Sequence, residues 1–295
     1  MQKIVPHFWY DKEAKEAAMF YISLFDDSKL LNVRSLGKTP TGDDAEYVSF
    51  ELAGQRFDAI SAGPYFKLNP TISLFVACSS IEELNTRWNA LIDGGSEFMP
   101  LGEYPFSKRY GWGQDRFGLS WQLMLMDEEQ TVQKITPNFR FSSEVCGKAE
   151  EAMRYYAEIF EDSSIGSISR YQEGEATSLK AKVNYADFKL SGLHFSAMDH
   201  AFGGVSTFNE AFSFIINCKN QDEIDYFWDK LSKVPEAEQC GWAKDQFGVS
   251  WQIVPENMDE VMFKGSKEEI KRVTEVLYKM KKIEIAALEK ARLEI

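Results

Sequence analysis

The chain has 295 residues, 44% hydrophobic and 14% aromatic, which suits about two packed domains and excludes wholesale disorder. Its 33 Lys and Arg stand against 46 Asp and Glu, a formal charge of −13, so the overall field repels phosphate backbones and no nucleic-acid partner is expected. No apolar run reaches the roughly 20 residues of a membrane span, and the opening MQKIVPHFWYDKEAK has no apolar signal region; no membrane partner and a cytoplasmic location are expected. Cys78, Cys146, Cys218 and Cys240 show no CxxC spacing and read as buried thiols rather than disulfide or zinc ligands.

From the N-terminus, Lys3-Ile4-Val5-Pro6 opens a strand. Ala14, Ala17, Ala18, Tyr21, Leu24 and Phe25 then share one helical face, closed by Asp26-Asp27-Ser28. Three short strands follow over 29–35, 46–52 and 56–61, the last two joined by an Ala53-Gly54-Gln55 turn. A buried strand over 72–78 leads to a helix carrying Leu84, Trp88 and Leu91. Two or three more strands close the pattern, the last pair joined at Asp115-Arg116-Phe117-Gly118.

The same order then repeats. Lys134-Ile135-Thr136-Pro137 matches the opening, and Ala149, Ala152, Met153, Tyr156, Ile159 and Phe160 repeat the helical face 135 residues on. A strand over 212–218 and a helix with Ile224, Trp228 and Leu231 follow. Residues 241–254 then match 111–124 at eight of fourteen positions, two of them tryptophans. The chain is therefore a tandem duplication, with domains expected at 1–128 and 132–256. A tail over 257–295 follows, whose Ser266-Lys267-Glu268-Glu269 is a capping box opening a helix with Ile270, Val273, Leu277 and Met280 on one face. Residues 283–295 are read as strand or short helix that packs against the domains.

Strand-helix-three-strand modules in pairs, together with Gly63-Pro64-Tyr65-Phe66-Lys67-Leu68-Asn69, the segment from Cys240 to Gln252 and Arg272-Val273-Thr274-Glu275, resemble the PhnB-like branch of the vicinal-oxygen-chelate superfamily. That superfamily includes glyoxalase I, extradiol dioxygenases and bleomycin-resistance proteins, and the branch is often described as 3-demethylubiquinone-9 3-methyltransferase. The resemblance implies an α+β fold of two tandem glyoxalase-like domains. Each would be a curved, eight-stranded mixed sheet from paired βαβββ modules, with a C-terminal helical tail. It also implies a small organic ligand, and a monomer acting as a pseudo-dimer, or a homodimer.

The resemblance further implies one divalent ion in each cupped sheet, held by His, Glu or Gln from the first, fourth, fifth and last strands and polarising a substrate with two adjacent oxygens. The matching positions are Gln122 and Gln252 on the last strands and Ser73 and Ser213 on the fifth. The fourth strands offer the neighbourhood of Ala59 and Ser191, and the first strands offer His7 and Asn138. His7 alone is a plausible metal ligand, where about three are normally needed. No cofactor is expected, with a divalent metal as the alternative. No G-x-G-x-x-G loop follows a strand to house a methyl donor.

The candidate ligand-binding residues are Ser73, Trp112, Ser120 and Gln122, with Ser213, Trp242, Ser250 and Gln252 as their counterparts. Alternation along the last strand puts Ser120 and Gln122 on the face opposite Trp121. The glutamines satisfy either a neighbouring strand or a polar ligand, and Trp112 and Trp242 are either core or pocket wall. His194 and His200 read as packing residues. The connection over 97–110 is longer than its counterpart over 234–239, which marks the first cup as the elaborated one. The function classes left open are small-molecule binding, a metal-dependent lyase, isomerase or dioxygenase, and methyl transfer.

Overall fold

The computed structural model describes residues 1–39, 44–127, 131–202 and 206–293. In the first copy β1 (Ile4–Tyr10), α1 (Ala14–Ile22), β2 (Lys29–Lys38), β3 (Asp44–Leu52) and β4 (Gln55–Ser61) form one module. A second holds β5 (Ile72–Cys78), α2 (Ile81–Ile92), β6 (Ser96–Tyr104), β7 (Ser107–Gln114) and β8 (Ser120–Leu125). The second copy begins with β9 (Ile135–Phe141), α3 (Ala149–Ile159), β10 (Ser164–Arg170), β11 (Val183–Leu190) and β12 (Leu193–Asp199). It continues with β13 (Phe212–Cys218), α4 (Gln221–Leu231), β14 (Trp242–Lys244) and β15 (Ser250–Pro255), and the tail holds α5 (Met258–Phe263), α6 (Lys267–Leu277) and α7 (Ile285–Leu293). Among the described residues no helix is long and apolar enough to cross a membrane.

The chain divides into a larger unit, His7–Phe212, and a smaller one made of Met1–Pro6 and Ser213–Ile295. The larger unit contains a complete eight-stranded sheet in the order β10-β11-β12-β9-β5-β8-β7-β6. Half of it comes from each sequence copy. The seam is the antiparallel pair β5–β9, with Ser73 opposite Asn138 and Leu74 opposite Pro137. The larger unit also holds β1-β4-β3-β2 side by side, with β1 and β4 parallel and His7 opposite Asp58, and the smaller unit holds β14-β15-β13 side by side. The eight-stranded sheet thus joins a module of one copy to a module of the other, so its cup is not built from one repeat alone.

Both copies bury the helical faces expected of them: Ala14, Ala17, Ala18 and Tyr21 on α1, and Ala149, Ala152, Met153, Tyr156 and Ile159 on α3. The Ala53-Gly54 turn has φ of +48° and +75°, the left-handed pair that a two-residue hairpin uses. Asn69 Nδ2 donates to the Thr207 carbonyl at 3.0 Å and Asn209 Nδ2 to the Lys67 carbonyl at 2.9 Å, so the Gly63–Asn69 signature ties two connecting segments together.

The last module departs from expectation. Residues 234–239 hold only a short 3₁₀ turn, too few for a strand and its reversal, so nothing there corresponds to β6, and among the described residues this module has three strands, β13, β14 and β15, rather than the four expected. The tail takes the missing strand's place. Cys240 and Gly241 N–H donate to the Met280 and Lys281 carbonyls at 2.9 and 2.7 Å, covering backbone that an exposed edge would leave open. Gly241 lies at φ +87°, and a Cβ there would approach Ile283 within 3.0 Å. The capping box at Ser266 and Glu269 forms as read, and of residues 283–295 those from Ile285 to Leu293 are helical; 294–295 lie outside the described residues. Arg272 closes this hairpin by donating to the Ala291 and Arg292 carbonyls at 2.9 and 2.8 Å, groups that a helix end leaves unpaired. Cys78, Cys146 and Cys218 are buried, whereas Cys240 is half-buried.

Most of the repeated tryptophan segment is explained by one carboxylate. Asp115 Oδ1 accepts from the Phe117 and Leu119 N–H groups at 2.8 and 3.0 Å, fixing the turn before β8. Its Oδ2 accepts from Trp121 Nε1 at 2.8 Å and the Tyr21 hydroxyl at 2.7 Å, docking β8 and α1. Asp245 repeats this with Phe247, Val249 and Trp251 at 2.9, 3.0 and 2.9 Å. Asp115→Asn places amide protons against the indole or hydroxyl donor. It is expected to cost ~2–4 kcal/mol in urea unfolding, and a loss within error of zero would contradict this role.

Candidate functional site

The concave face of the eight-stranded sheet is the face opposite α2 and α3. Phe139 and Phe141 of β9 and Trp121 of β8 point into the core, so the alternate residues Asn138, Arg140, Ser120 and Gln122 point into the cup. A run of neutral polar groups crosses its floor. Gln122 Nε2 donates to Ser73 Oγ at 2.6 Å and to Asn138 Oδ1 at 3.2 Å, and its Oε1 accepts the Tyr110 hydroxyl at 2.6 Å. Asn138 Nδ2 continues the chain to Ser196 Oγ at 2.7 Å. Burial raises the Tyr110 phenol well above its ordinary range, so it stays a neutral donor. Beside the chain, Trp112 Nε1 donates to Ser120 Oγ at 2.9 Å.

Ser73, Trp112, Ser120 and Gln122 therefore meet in one cup, and the structure adds Tyr110, Asn138 and Ser196. In the smaller unit Gln252 Nε2 donates to Ser213 Oγ at 3.0 Å. There Ser250 Oγ, the counterpart of the hydroxyl that receives the Trp112 indole, is buried with no partner among the described residues. Trp242 is half-buried on β14, and Cys240 stands where the first copy has Tyr110. His194 and His200 are half-buried on β12 and just beyond it.

Two fourth-strand positions differ from those read in the sequence. The residue in register with Asn138 is Ser196, five positions beyond Ser191, and the residue in register with His7 is Asp58 rather than Ala59. Ala59 is fully buried beneath the sheet, and a step of one residue along a strand changes the face. His7 consequently does have a carboxylate on the neighbouring strand. Asp58 is nonetheless engaged: Arg56 Nε and Nη2 donate to its two oxygens at 3.0 and 2.9 Å, and the Tyr47 hydroxyl donates to Oδ2 at 2.7 Å. Burial pushes the Asp58 carboxyl up against the opposing pull of Arg56.

These donor sets fit a divalent ion poorly. On the eight-stranded sheet the four matching positions are amides and hydroxyls that bond one another. Beside β1 the single carboxylate already carries a guanidinium. Among the described residues no group of three or more His, Cys, Asp or Glu could hold a metal. A groove lined by Thr86, Trp88, Asn89, Ile92, Asp93 and Glu97 lies on the α2 side, away from the cup.

Paired βαβββ modules assembled into concave mixed sheets define the glyoxalase-like fold. The chain belongs to the PhnB-like family of that superfamily: the family model described as 3-demethylubiquinone-9 3-methyltransferase matches residues 2–124 and again 133–254. Glyoxalase I from Zea mays covers 86% of this chain with 94% of its own, at TM-score 0.54 and 11% identity, a likeness of fold alone. The PhnB protein from Bacillus cereus is 38% identical over 42% of this chain and 100% of its own, at TM-score 0.40. Protein PA1353 from Pseudomonas aeruginosa is 23% identical over 41% of this chain and 96% of its own, at TM-score 0.36. No curated protein matches the chain.

Two measurements test this geometry. Gln122→Glu keeps an acceptor for Tyr110 but removes both donated hydrogen bonds and sets an oxygen against Asn138 Oδ1. It is expected to lower unfolding stability by ~1–3 kcal/mol, and an unchanged urea midpoint would show that the amide is not a floor bond. Burial pushes His7 from its ordinary 6.5 down to about 3, so between those values the unfolded chain binds the extra proton. The stability that goes with a neutral His7 is complete above pH 6.5 and is lost as the pH falls towards 3, at roughly 1.4 kcal/mol per pH unit. His7→Asn should flatten that part of the stability–pH curve. Identical curves would refute the buried, neutral imidazole.

Proposed function

We propose that this chain is a small-molecule-binding protein whose eight-stranded cup works without the divalent ion of its superfamily. The observation that carries the reading is the hydrogen-bond chain from Tyr110 through Gln122 to Ser73, Asn138 and Ser196, which supplies neutral groups where an ion would need charged or imidazole donors. Trp112, Ser120, Gln122 and Ser73 line the ligand site of this cup, and Trp242, Ser250, Gln252 and Ser213 are their counterparts. The reading extends to a chain that acts in the cytoplasm as a monomer, its two copies standing in for subunits. The β5–β9 seam, which joins the copies within one polypeptide, supports it. Light scattering that returned only a dimer would remove that part.

A metal-dependent lyase, isomerase or dioxygenase is the second reading, favoured by His7 and Asp58 on adjacent strands. Elemental analysis of protein purified without chelator separates the two. Far less than one transition metal per chain is expected, and about one tightly held ion per sheet overturns the first reading. Methyl transfer follows from the family description alone. Calorimetric titration with S-adenosylmethionine is expected to show no binding, and a saturable heat would revive it.

A further inference from the structure

Arg140 lies on the cup face, and the floor network leaves its guanidinium unused. It follows Asn138 by two on β9 and so shares its face, and it is only 7% exposed. Its Nε donates to the Pro70 carbonyl at 2.9 Å, and its guanidinium carbon lies 5.0 Å from the centre of the Trp112 ring. Trp112 stands on β7, three strands away in the order β9-β5-β8-β7, a separation of about 14 Å across a flat sheet. The two long side chains meet over the strands between them, so the guanidinium lies on the cup side of the sheet. No carboxylate among the described residues pairs with it, and both terminal nitrogens lack a protein acceptor there. Burial alone shifts it, down to about 10, so it remains a cation at neutral pH.

A largely buried cation without an anion is costly unless something else supplies the charge. This guanidinium lies over the Trp112 ring and its Nε edge is taken, which leaves the fork of terminal N–H groups that matches two oxygens of a carboxylate or phosphonate. The neighbouring wall is apolar and open. Phe98 packs on Trp112 at 5.0 Å with 39% of its surface exposed, and Phe106 packs on Tyr110 at 5.1 Å with 60% exposed. The sequence copies differ at this point, since the position matching Arg140 is Trp9, whose indole donates to the Gly63 carbonyl at 2.8 Å. The cation therefore belongs to one cup and is not a requirement of the fold.

We propose that the eight-stranded cup binds a small organic oxyanion, its charged group held by Arg140 and its apolar body resting against Trp112, Phe98 and Phe106. This deepens the receptor reading above and rests on it. The test is an NMR titration of the full chain with benzoate, phenylphosphonate and neutral benzamide, following the Trp112 indole N–H. Both anions are expected to bind and shift that resonance, and benzamide to bind at least about tenfold more weakly. Arg140→Gln, which retains a donor for the Pro70 carbonyl, should weaken benzoate by a similar factor. Arg140→Lys, which keeps the charge but not the fork, should fall between. Equal binding of benzoate and benzamide, or benzoate binding unchanged in the folded Arg140→Gln protein, overturns the anion assignment and leaves a receptor for neutral molecules. Absence of binding by all three probes at millimolar concentration overturns the proposal and the receptor reading together.

Discussion

A buried primary amide has two donors and an acceptor to satisfy, and Gln122 does so by reaching in three directions at once. Its partners lie on β7, β5 and β9, so a single side chain spans four adjacent strands of the sheet including its own. Two of those strands belong to different sequence copies. The contact thus fastens the seam on which the eight-stranded cup depends. A closed hydrogen-bond chain can do this without a desolvated charge, and a half-satisfied one would be worse than an apolar floor. That requirement explains why Tyr110, Ser73, Asn138 and Ser196 act as a set.

The same positions in the smaller unit show what happens when a member of the set is missing. Gln252 keeps its bond to Ser213, but Cys240 occupies the place of Tyr110 and adopts φ +51°, outside any strand. With no room for a strand between α4 and β14, the polypeptide recruits residues 280–281 from its tail to pair with 240–241. The tail is therefore part of how this module ends. The longer connection of the first copy builds the β6–β7 ribbon instead, and that ribbon carries Phe98, Phe106 and Tyr110 to the rim and floor of the cup.

Much of this was legible in the sequence because it follows from periodicity. The helical faces, the Ala53-Gly54 turn, the capping box at Ser266 and the duplication itself all emerge from spacing. The Asp-x-Phe-Gly-x-Ser-Trp-Gln segment was visible as a repeat, but its cause was not. A carboxylate that binds two turn amides and an indole six residues on cannot be inferred until the turn is closed. Register was the weak point. Ala59 and Asp58 are adjacent in sequence yet face opposite sides of the sheet, and only the pairing with His7 decides which one meets the imidazole. Ser196 was missed in the same way. Module exchange between copies was hidden altogether, since β5 can pair with β9 only after the chain has folded back across some sixty residues of other structure.

Arg140 escaped notice for a different reason. Arg140 lies two residues beyond the first-strand position that matches a metal ligand, and nothing in the residue pattern sets it apart from a surface arginine until the strands are paired. In a chain of formal charge −13 an arginine among 46 acidic residues would ordinarily be expected to pair with one of them. This one instead lies over the Trp112 indole. The duplication makes the departure informative. Both copies kept the aspartate that builds the hairpin, because turn geometry and core docking are demanded twice. The position two residues beyond the first-strand polar residue was free to diverge, to tryptophan in one copy and arginine in the other. Side chains that the fold requires are shared between the copies, and the charge that one cup carries alone is where selection for a ligand has room to act.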